Sequence, residues 1–298
     1  MLFRVVAIIA AAAAGVRAVV GPGVVTGYTS VHDPSMCKVG STYYLFSTGV
    51  GIPILTSTDR TAWKLLGLVW PNGASWTDAY TGASNANLWA PDCYYDGSKL
   101  YVYYAASSFG SQNSAIFLAY STTFGPGSYT NAGLAIDPAI YVENGLWYLA
   151  WGSFWQGIYS ASLNPSTGKL YNSSSTHLAA RSSTALEGST IYKYGSYYYL
   201  FASWDKCCSG TSSTYNIKVG RSSSIWGPYV DSSGVQLLSG GGTNVLASHD
   251  SIIGPGGQDV YTDGDGSVLV YHYYTSSGSW LGINLLNFTY YDDYVYHE

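Results

Sequence analysis

The stretch "LEGSTIYKYGSYYYLFAS" (residues 186–203) decides the fold. A small-residue lead-in is followed by a short strand-like run. A Gly-containing turn comes next, then a second run rich in Tyr and Leu. Such short aromatic runs broken by turn residues read as a β-hairpin. The pattern recurs in "HDPSMCKVGSTYYLFST" from His32, "APDCYYDGSKLYVYYAA" from Ala90, "IDPAIYVENGLWYLAWGS" from Ile136 and "GPGGQDVYTDGDGSVLVYHYY" from Gly254. The second and fourth copies run on into "AIFLAYSTTFGPGSY" and "NIKVGRSSSIWGPYV", which supply a third strand. A spacing of about 45 to 70 residues is the scale of a four-stranded propeller blade. Five copies predict an all-β, five-bladed β-propeller. The alternative is an ordinary sandwich with chance similarity, which the repeat disfavours. Blades cannot bury their faces alone, so one domain is expected.

The register of the copies locates the candidate chemistry. Asp33 lies 12 residues before Leu45, Asp137 lies 12 before Leu149, and Glu187 lies 13 before Leu200. A bulge would absorb the extra residue. The second copy has Ala90 at that point, and the fifth has Gly257 or Gln258. The innermost strands of a propeller line its axis, so three carboxylates should converge at the channel mouth. Two carboxyl groups flanking a bond are the equipment for cleaving a glycoside, one protonated and one ionised. A third nearby keeps the acid protonated by like-charge repulsion. Glutamate reaches farther than aspartate, which suits Glu187 to the leaving oxygen. A single Asp before a turn is usually a cap. Three at one repeat position point to a site.

The surroundings suit a sugar. "WGSFWQG" (151–157) and "SFGS" (108–111) place aromatics and hydroxyls just past the inner strands. Aromatic faces stack on sugar rings and hydroxyls bond their oxygens. Most of the ten tryptophans should fill gaps between blades, and Trp89 could do either.

Bulk composition narrows the classes. The chain has 298 residues, 47% apolar and only 10% charged, with 30 Tyr and 35 Gly. That is a β-rich protein with many turns and a hydroxyl surface. A net charge of −5 and the lack of any basic run exclude a nucleic-acid partner. "MLFRVVAIIAAAAAGVRA" reads as a secretory signal peptide ending at Ala18, which leaves residues 19–298 as the mature domain. Its apolar run is too short to span a bilayer, and no later stretch is long enough. No membrane partner is therefore expected, and the protein should be an extracellular monomer. Of the four cysteines, Cys37 and Cys93 could pair, whereas the adjacent Cys207 and Cys208 seldom bond each other comfortably. Their spacing does not suit zinc. Asn172 and Asn287 head glycosylation sequons.

"VHDPSM", "LWAPDCYY", "AIDPAIY", "WGSFWQGI", "ALEGSTIYKYGSYYYLFASWDKCC" and "GPYVD" together resemble the arabinan endo-1,5-α-L-arabinosidases of glycoside hydrolase family 43. The likeness runs from about Val31 to Asn287. It implies a five-bladed propeller, inverting chemistry and pectic arabinan as the substrate. It implies that Asp33 is the general base, that Asp137 tunes the acid and orients substrate, and that Glu187 is the acid. Gly110, Ser153, Phe154 and Trp155 match positions that contact substrate. Two places depart from the pattern. Leu134 stands where relatives have Asn. "GPGGQ" puts Gly257 and Gln258 where many bacterial relatives have a calcium-holding His, so no metal site is carried over and no cofactor is expected. His272 in "VYHYY" reads as a packed sheet histidine. An exo-acting arabinofuranosidase or β-xylosidase on the same scaffold remains open, as does a non-catalytic carbohydrate-binding propeller.

Overall fold

A computed structural model describes residues 23–84, 87–131, 137–182, 185–288 and 295–297. The proposed leader and Leu134 lie outside the described residues. The strands form five sheets around one axis. Blade 1 runs outward through Ser35–Val39, Thr42–Phe46, Pro53–Ser57 and Ala62–Leu68. Blade 2 has Asn87–Tyr95, Leu100–Ser107, Ser114–Ser121 and Thr130–Asn131. Blade 3 has Ala139–Glu143, Leu146–Trp151 and Ile158–Asn164, with Lys169–Leu170 and Thr176–Ala179 both paired to the last of these. Blade 4 has Leu186–Tyr194, Tyr197–Trp204, Asn216–Ser222 and Thr243–Leu246. Blade 5 has Ile253–Asp263, Gly266–Thr275, Gly278–Phe288 and Val295–His297. The outermost strand of blade 5 thus comes from the C-terminal tail, which carries no repeat signature.

The tyrosine-rich second strands are hydrophobic on both faces because blades stack on both sides. Leu100–Ser107 is buried at every position. Five apolar clusters fill the gaps between neighbouring blades. Phe46, Ile54 and Tyr104 pack between blades 1 and 2. Tyr101, Leu118 and Trp147 join blades 2 and 3. Ile191, Leu200 and Ala150 join blades 3 and 4. Phe201, Ile217 and Tyr271 join blades 4 and 5, and Leu45, Trp63 and Val270 close blade 5 on blade 1. Backbone bonds seal the same seam: Gly23 N donates to Ile283 O, and Leu281 N donates to Thr29 O. Thr26–Gly27 meanwhile pairs with Ala62–Leu68 of blade 1. The first described segment therefore latches the ring shut.

Cys37 and Cys93 form a disulfide between the inner strands of blades 1 and 2. It closes a loop across 56 residues, worth about 4 kcal/mol in a chain-entropy account. Cys207 and Cys208 are also joined, against the expectation for adjacent cysteines. The chain turns there with Cys208 in the left-handed region, φ 62°. Glu143 is structural: it accepts from Tyr198 at 2.6 Å and pairs with Lys193 across the blade 3–4 gap. Asn172 lies in an exposed turn, whereas Asn287 is half-buried in a paired strand.

Candidate active site

The repeat register places the carboxylates where the spacing requires. Met36 pairs with Leu45, Ile140 with Leu149 and Ile191 with Leu200. Asp33 and Asp137 sit three positions before the first members of these pairs. Glu187 sits four before, and the shift falls between Glu187 and Thr190 as a register irregularity. At the equivalent point of every blade, before the inner strand in blades 1 and 3 and within its first half in blades 2, 4 and 5, the backbone enters the left-handed region: Asp33 (φ 45°), Ala90 (φ 42°), Asp137 (φ 46°), Gly188 (φ 54°) and Gly257 (φ 55°). Glu187 therefore comes from one residue earlier than its two partners, and Gly257, not Gln258, fills the fifth place. Non-glycine residues at positive φ are strained, and such strain gathers at functional sites.

Asp33, Asp137 and Glu187 all line one cavity of about 450 Å³. Its wall also holds His32, Thr48, Trp89, Phe109, Ser153 and Tyr215, with Cys207 and Cys208. Trp89 is thus a lining residue, its ring 6.5 Å from Phe109 in an edge-to-face pair. Of the four other expected contacts, Ser153 lines the cavity. Gly110, Phe154 and Trp155 are not among its lining residues. They belong to the loops that carry Phe109 and Ser153, and Trp155 is 58% exposed.

The carboxyls differ in their partners. Asp33 Oδ2 is 2.8 Å from His32 Nδ1 and accepts from Thr48 Oγ1 at 2.8 Å. Burial pushes its acidity down, but His32, His272 and Thr48 outweigh that and hold Asp33 well below the usual carboxylate range. It is the ionised member. Glu187 accepts from Ser153 Oγ at 2.8 Å and from Tyr215 OH at 3.0 Å. Burial, with the Asp33 charge, raises it despite those two donors. Asp137 is raised well above its ordinary value by burial and by the charges of Glu187 and Asp33. Two carboxyls whose acidity is weakened therefore face one whose acidity is strengthened, and the Glu187 charge is one cause of the Asp137 shift.

Sequence reasoning passed over several neighbours. His272 is a fully buried sheet histidine, as read, but it touches the site: its Nδ1 accepts from the Asp33 amide at 3.0 Å, and its ring stacks on His32 at 3.9 Å. Tyr274 OH lies 3.0 Å from His32 Nε2 and 3.1 Å from His272 Nε2. Gly257 leaves room for Asp33, since a Cβ there would come within 2.2 Å of Asp33 Oδ1. Gln258 Nε2 donates to Gly188 O at 2.5 Å and its Oε1 accepts from Ser203, which ties blade 5 to the Glu187 turn. His272, Tyr274, Gly257 and Gln258 all come from blade 5, and only their closeness to Asp33 and to the Glu187 segment shows what they do.

Among the described residues, His32, Asp33 and His272 could bring ligand atoms together for a metal. Each of the four ring nitrogens already has a protein partner. Calcium takes six to eight oxygen ligands, and this set offers one carboxylate. The residues do not fit calcium, and no step is derived through one.

With the site described, comparison with known proteins gives a consistent picture. Residues 24–287 match the sequence model of Glycosyl hydrolases family 43. The chain is 41% identical over 307 residues to the probable arabinan endo-1,5-alpha-L-arabinosidase A of Aspergillus flavus, covering 93% of this chain and 94% of that one. It is 40% identical over 279 residues to the extracellular endo-alpha-(1->5)-L-arabinanase 1 of Bacillus subtilis, covering 86% and 84%. The solved structure of Cellvibrio cellulosa alpha-L-arabinanase complexed with arabinohexaose superposes with a TM-score of 0.85 at 32% identity, covering 90% of this chain and 95% of that one.

Proposed function

Because the chain belongs to glycosyl hydrolase family 43, we propose that it is a secreted, inverting endo-hydrolase of the α-1,5-linked L-arabinofuranosyl backbone of pectic arabinan. One observation carries the chemistry: Asp33 and Glu187 line the same cavity, each fixed by its own hydrogen-bond partners, with Asp33 pushed toward the ionised form and Glu187 toward the protonated one. Asp33 takes a proton from a water molecule. That water attacks the anomeric carbon on the face opposite the leaving group. Glu187 gives its proton to the glycosidic oxygen as the carbon–oxygen bond breaks. The product sugar carries the inverted configuration, Asp33 is left neutral and Glu187 ionised, and exchange with solvent resets both. Inversion calls for a carboxyl separation of ~6.5–9.5 Å to admit the water. Asp137, raised by burial and by its two neighbours, tunes the acid and helps orient the substrate hydroxyls. Ser153 orients the acid. Gly110, Phe154 and Trp155 shape the loops around it, where a longer chain would lie.

The substrate assignment is supported by the names of the relatives and by the arabinohexaose complex. Secretion is supported by the leader and by the extracellular Bacillus subtilis relative. The reaction needs no cofactor and a single copy of the chain suffices, with a glycan at the exposed Asn172. Sizing and N-terminal sequencing of the secreted protein test these points. The deciding experiment follows viscosity and reducing ends together on linear, debranched arabinan. A steep fall in viscosity with few new ends is expected, with short oligosaccharides as products. Release of single arabinose with viscosity preserved would move the assignment to an exo-enzyme. Binding without release would make it a carbohydrate-binding propeller.

A further inference from the structure

The two disulfides serve different ends. Cys37–Cys93 ties two blades together across 56 residues. Cys207–Cys208 spans one peptide bond. It closes no loop, so it cannot stabilise by restricting the unfolded chain. Nor is it core packing, because Cys207 is only part-buried and Cys208 is exposed. Both residues line the cavity that holds Asp33 and Glu187.

The loop that carries them is anchored on both sides. Asp205, in the left-handed region, accepts from Arg181 at 2.6 Å and from Asn216 Nδ2 at 2.8 Å. Thr214 N donates to Lys206 O at 2.9 Å, and Ser209 N donates to Ser213 Oγ at 3.1 Å. The Cys208 amide donates to Tyr274 OH at 2.9 Å. Cys208 Sγ then stands 3.9 Å from Nε2 of His32, the ring whose other nitrogen meets Asp33. The bond between the sulfurs removes the rotamer freedom of both side chains. The result is a fixed plate of soft, polarizable sulfur with almost no hydrogen-bonding capacity.

We infer that the Cys207–Cys208 disulfide is a substrate-binding surface, a rigid apolar wall against which the carbon-bound hydrogens of a furanose ring pack beside the scissile linkage. It complements Trp89 and Phe109, which supply apolar surface from blade 2. A pre-fixed wall loses no conformational entropy when ligand arrives. A reduced pair of cysteines would present two mobile thiols instead. This role rests on the proposed action on arabinan.

The test measures arabinohexaose binding by calorimetry in a Glu187→Gln background, with the disulfide intact and with Cys207→Ser plus Cys208→Ser. A parallel pair, Cys207→Ala plus Cys208→Ala, separates polarity from rigidity. Loss of about one methylene-sized contact weakens binding roughly tenfold, so Kd should rise by about that factor. In the active enzyme KM should rise with it while kcat changes by less than about threefold, the pattern of lost uniform binding. The melting temperature should barely move. Treating the Glu187→Gln protein with a phosphine, and assigning the two freed thiols to Cys207 and Cys208 by peptide mapping, gives the same comparison without relying on a cysteine variant to fold. Unchanged Kd after reduction overturns the inference. So does a fall in kcat with Kd unchanged, which would place the loop's role in holding Tyr274 and His32. A wild type that neither binds nor cleaves arabinan removes the functional reading itself. A wild type that cleaves arabinan with a Kd indifferent to the disulfide removes only this one.

Discussion

Two groups of carboxyls sit on the propeller axis, and they behave differently. In the upper group, Asp33 and Asp137 stand just before the inner strands of blades 1 and 3, and Glu187 is the second residue of Leu186–Tyr194, ahead of its register irregularity. The lower group, Asp92 and Asp259, lies within the strands and forms part of the cavity floor. In the repeat, Asp92 and Asp259 fall two residues after Ala90 and Gly257, the places that Asp33 and Asp137 take in their own blades. The upper acids are bonded mainly to side chains that open onto the cavity. The lower ones are fixed by backbone amides: Ile140 N donates to Asp92 at 2.5 Å, and Met36 N and Val260 N donate to Asp259 at 2.9 and 2.7 Å. A shift of two residues along a strand separates carboxyls held by cavity-lining side chains from carboxyls locked onto backbone amides.

The upper group should show the largest effects. Glu187→Gln keeps the contacts with Ser153 and Tyr215 but has no proton to give, so kcat on arabinan should fall by roughly 10²–10⁴ with the melting temperature held. Asp33→Asn should do the same. Near-normal turnover in either would erase the distinction between the two groups. The pH profile sharpens it. The acid form of Glu187 is required, so activity should decline as pH rises through its elevated pKa. Asp33 is held low, so loss on the acid side should appear only below about pH 4, the ordinary carboxylate range.

Gly257→Ala should come next. A methyl group within 2.2 Å of Asp33 Oδ1 and 2.8 Å of His272 Nδ1, on a backbone with φ 55°, must push Asp33, the proposed base, aside. A misplacement of about 1 Å can cost on the order of 100-fold. The loss should fall on kcat in a protein that still folds and still binds arabinohexaose. Full activity would mean that the base tolerates displacement.

How much of this was legible in the sequence follows from what each feature depends on. The five blades and the positions of Asp33, Asp137 and Glu187 follow from one period, because a repeat returns equivalent residues to equivalent places. Even the one-residue excess before Leu200 surfaces as the irregularity after Glu187. The partners do not follow. His272 meets Asp33 across 239 residues, and Thr190 meets Gln258 across 68. No local pattern encodes a contact made by closing a ring. "WAPD" drew attention as a motif, yet the role of Asp92 depends on Asp259 near the other end of the chain. The adjacent cysteines misled because adjacency disfavours bonding in ordinary backbone, and the left-handed turn at Cys208 is a tertiary product.

The lower group offers the smallest effects and the finest test, beginning with a count of protons. Ser35 Oγ lies 2.7 Å from Asp92 Oδ1 and 2.9 Å from Asp259 Oδ2, and it accepts from the Cys93 amide at 3.1 Å. One hydroxyl proton serves one carboxyl, so the second contact needs a proton on the other. Both carboxyls receive backbone amides, Asp259 from Met36 and Val260 and Asp92 from Ile140, and burial raises both. The Asp259 charge acts on Asp92 in addition, so Asp92 is the one expected to take the shared proton and donate to Ser35 Oγ. Burial and the Asp259 charge raise it well above the usual range. A carboxyl raised in the folded state adds stability below its unfolded pKa of about 3.9 and loses it as pH rises through the folded value. Asp259→Asn should cost about 1–3 kcal/mol, since its new amide hydrogens would face a backbone donor. Asp92→Asn copies a neutral acid: its amide donates to Ser35 and its oxygen accepts from Ile140. Melting curves from pH 4 to pH 8 should show that variant within about 1 kcal/mol of the parent at low pH and equal or better at high pH. A steep loss at both ends would show that Asp92 is ionised and that the proton sits on Asp259 instead.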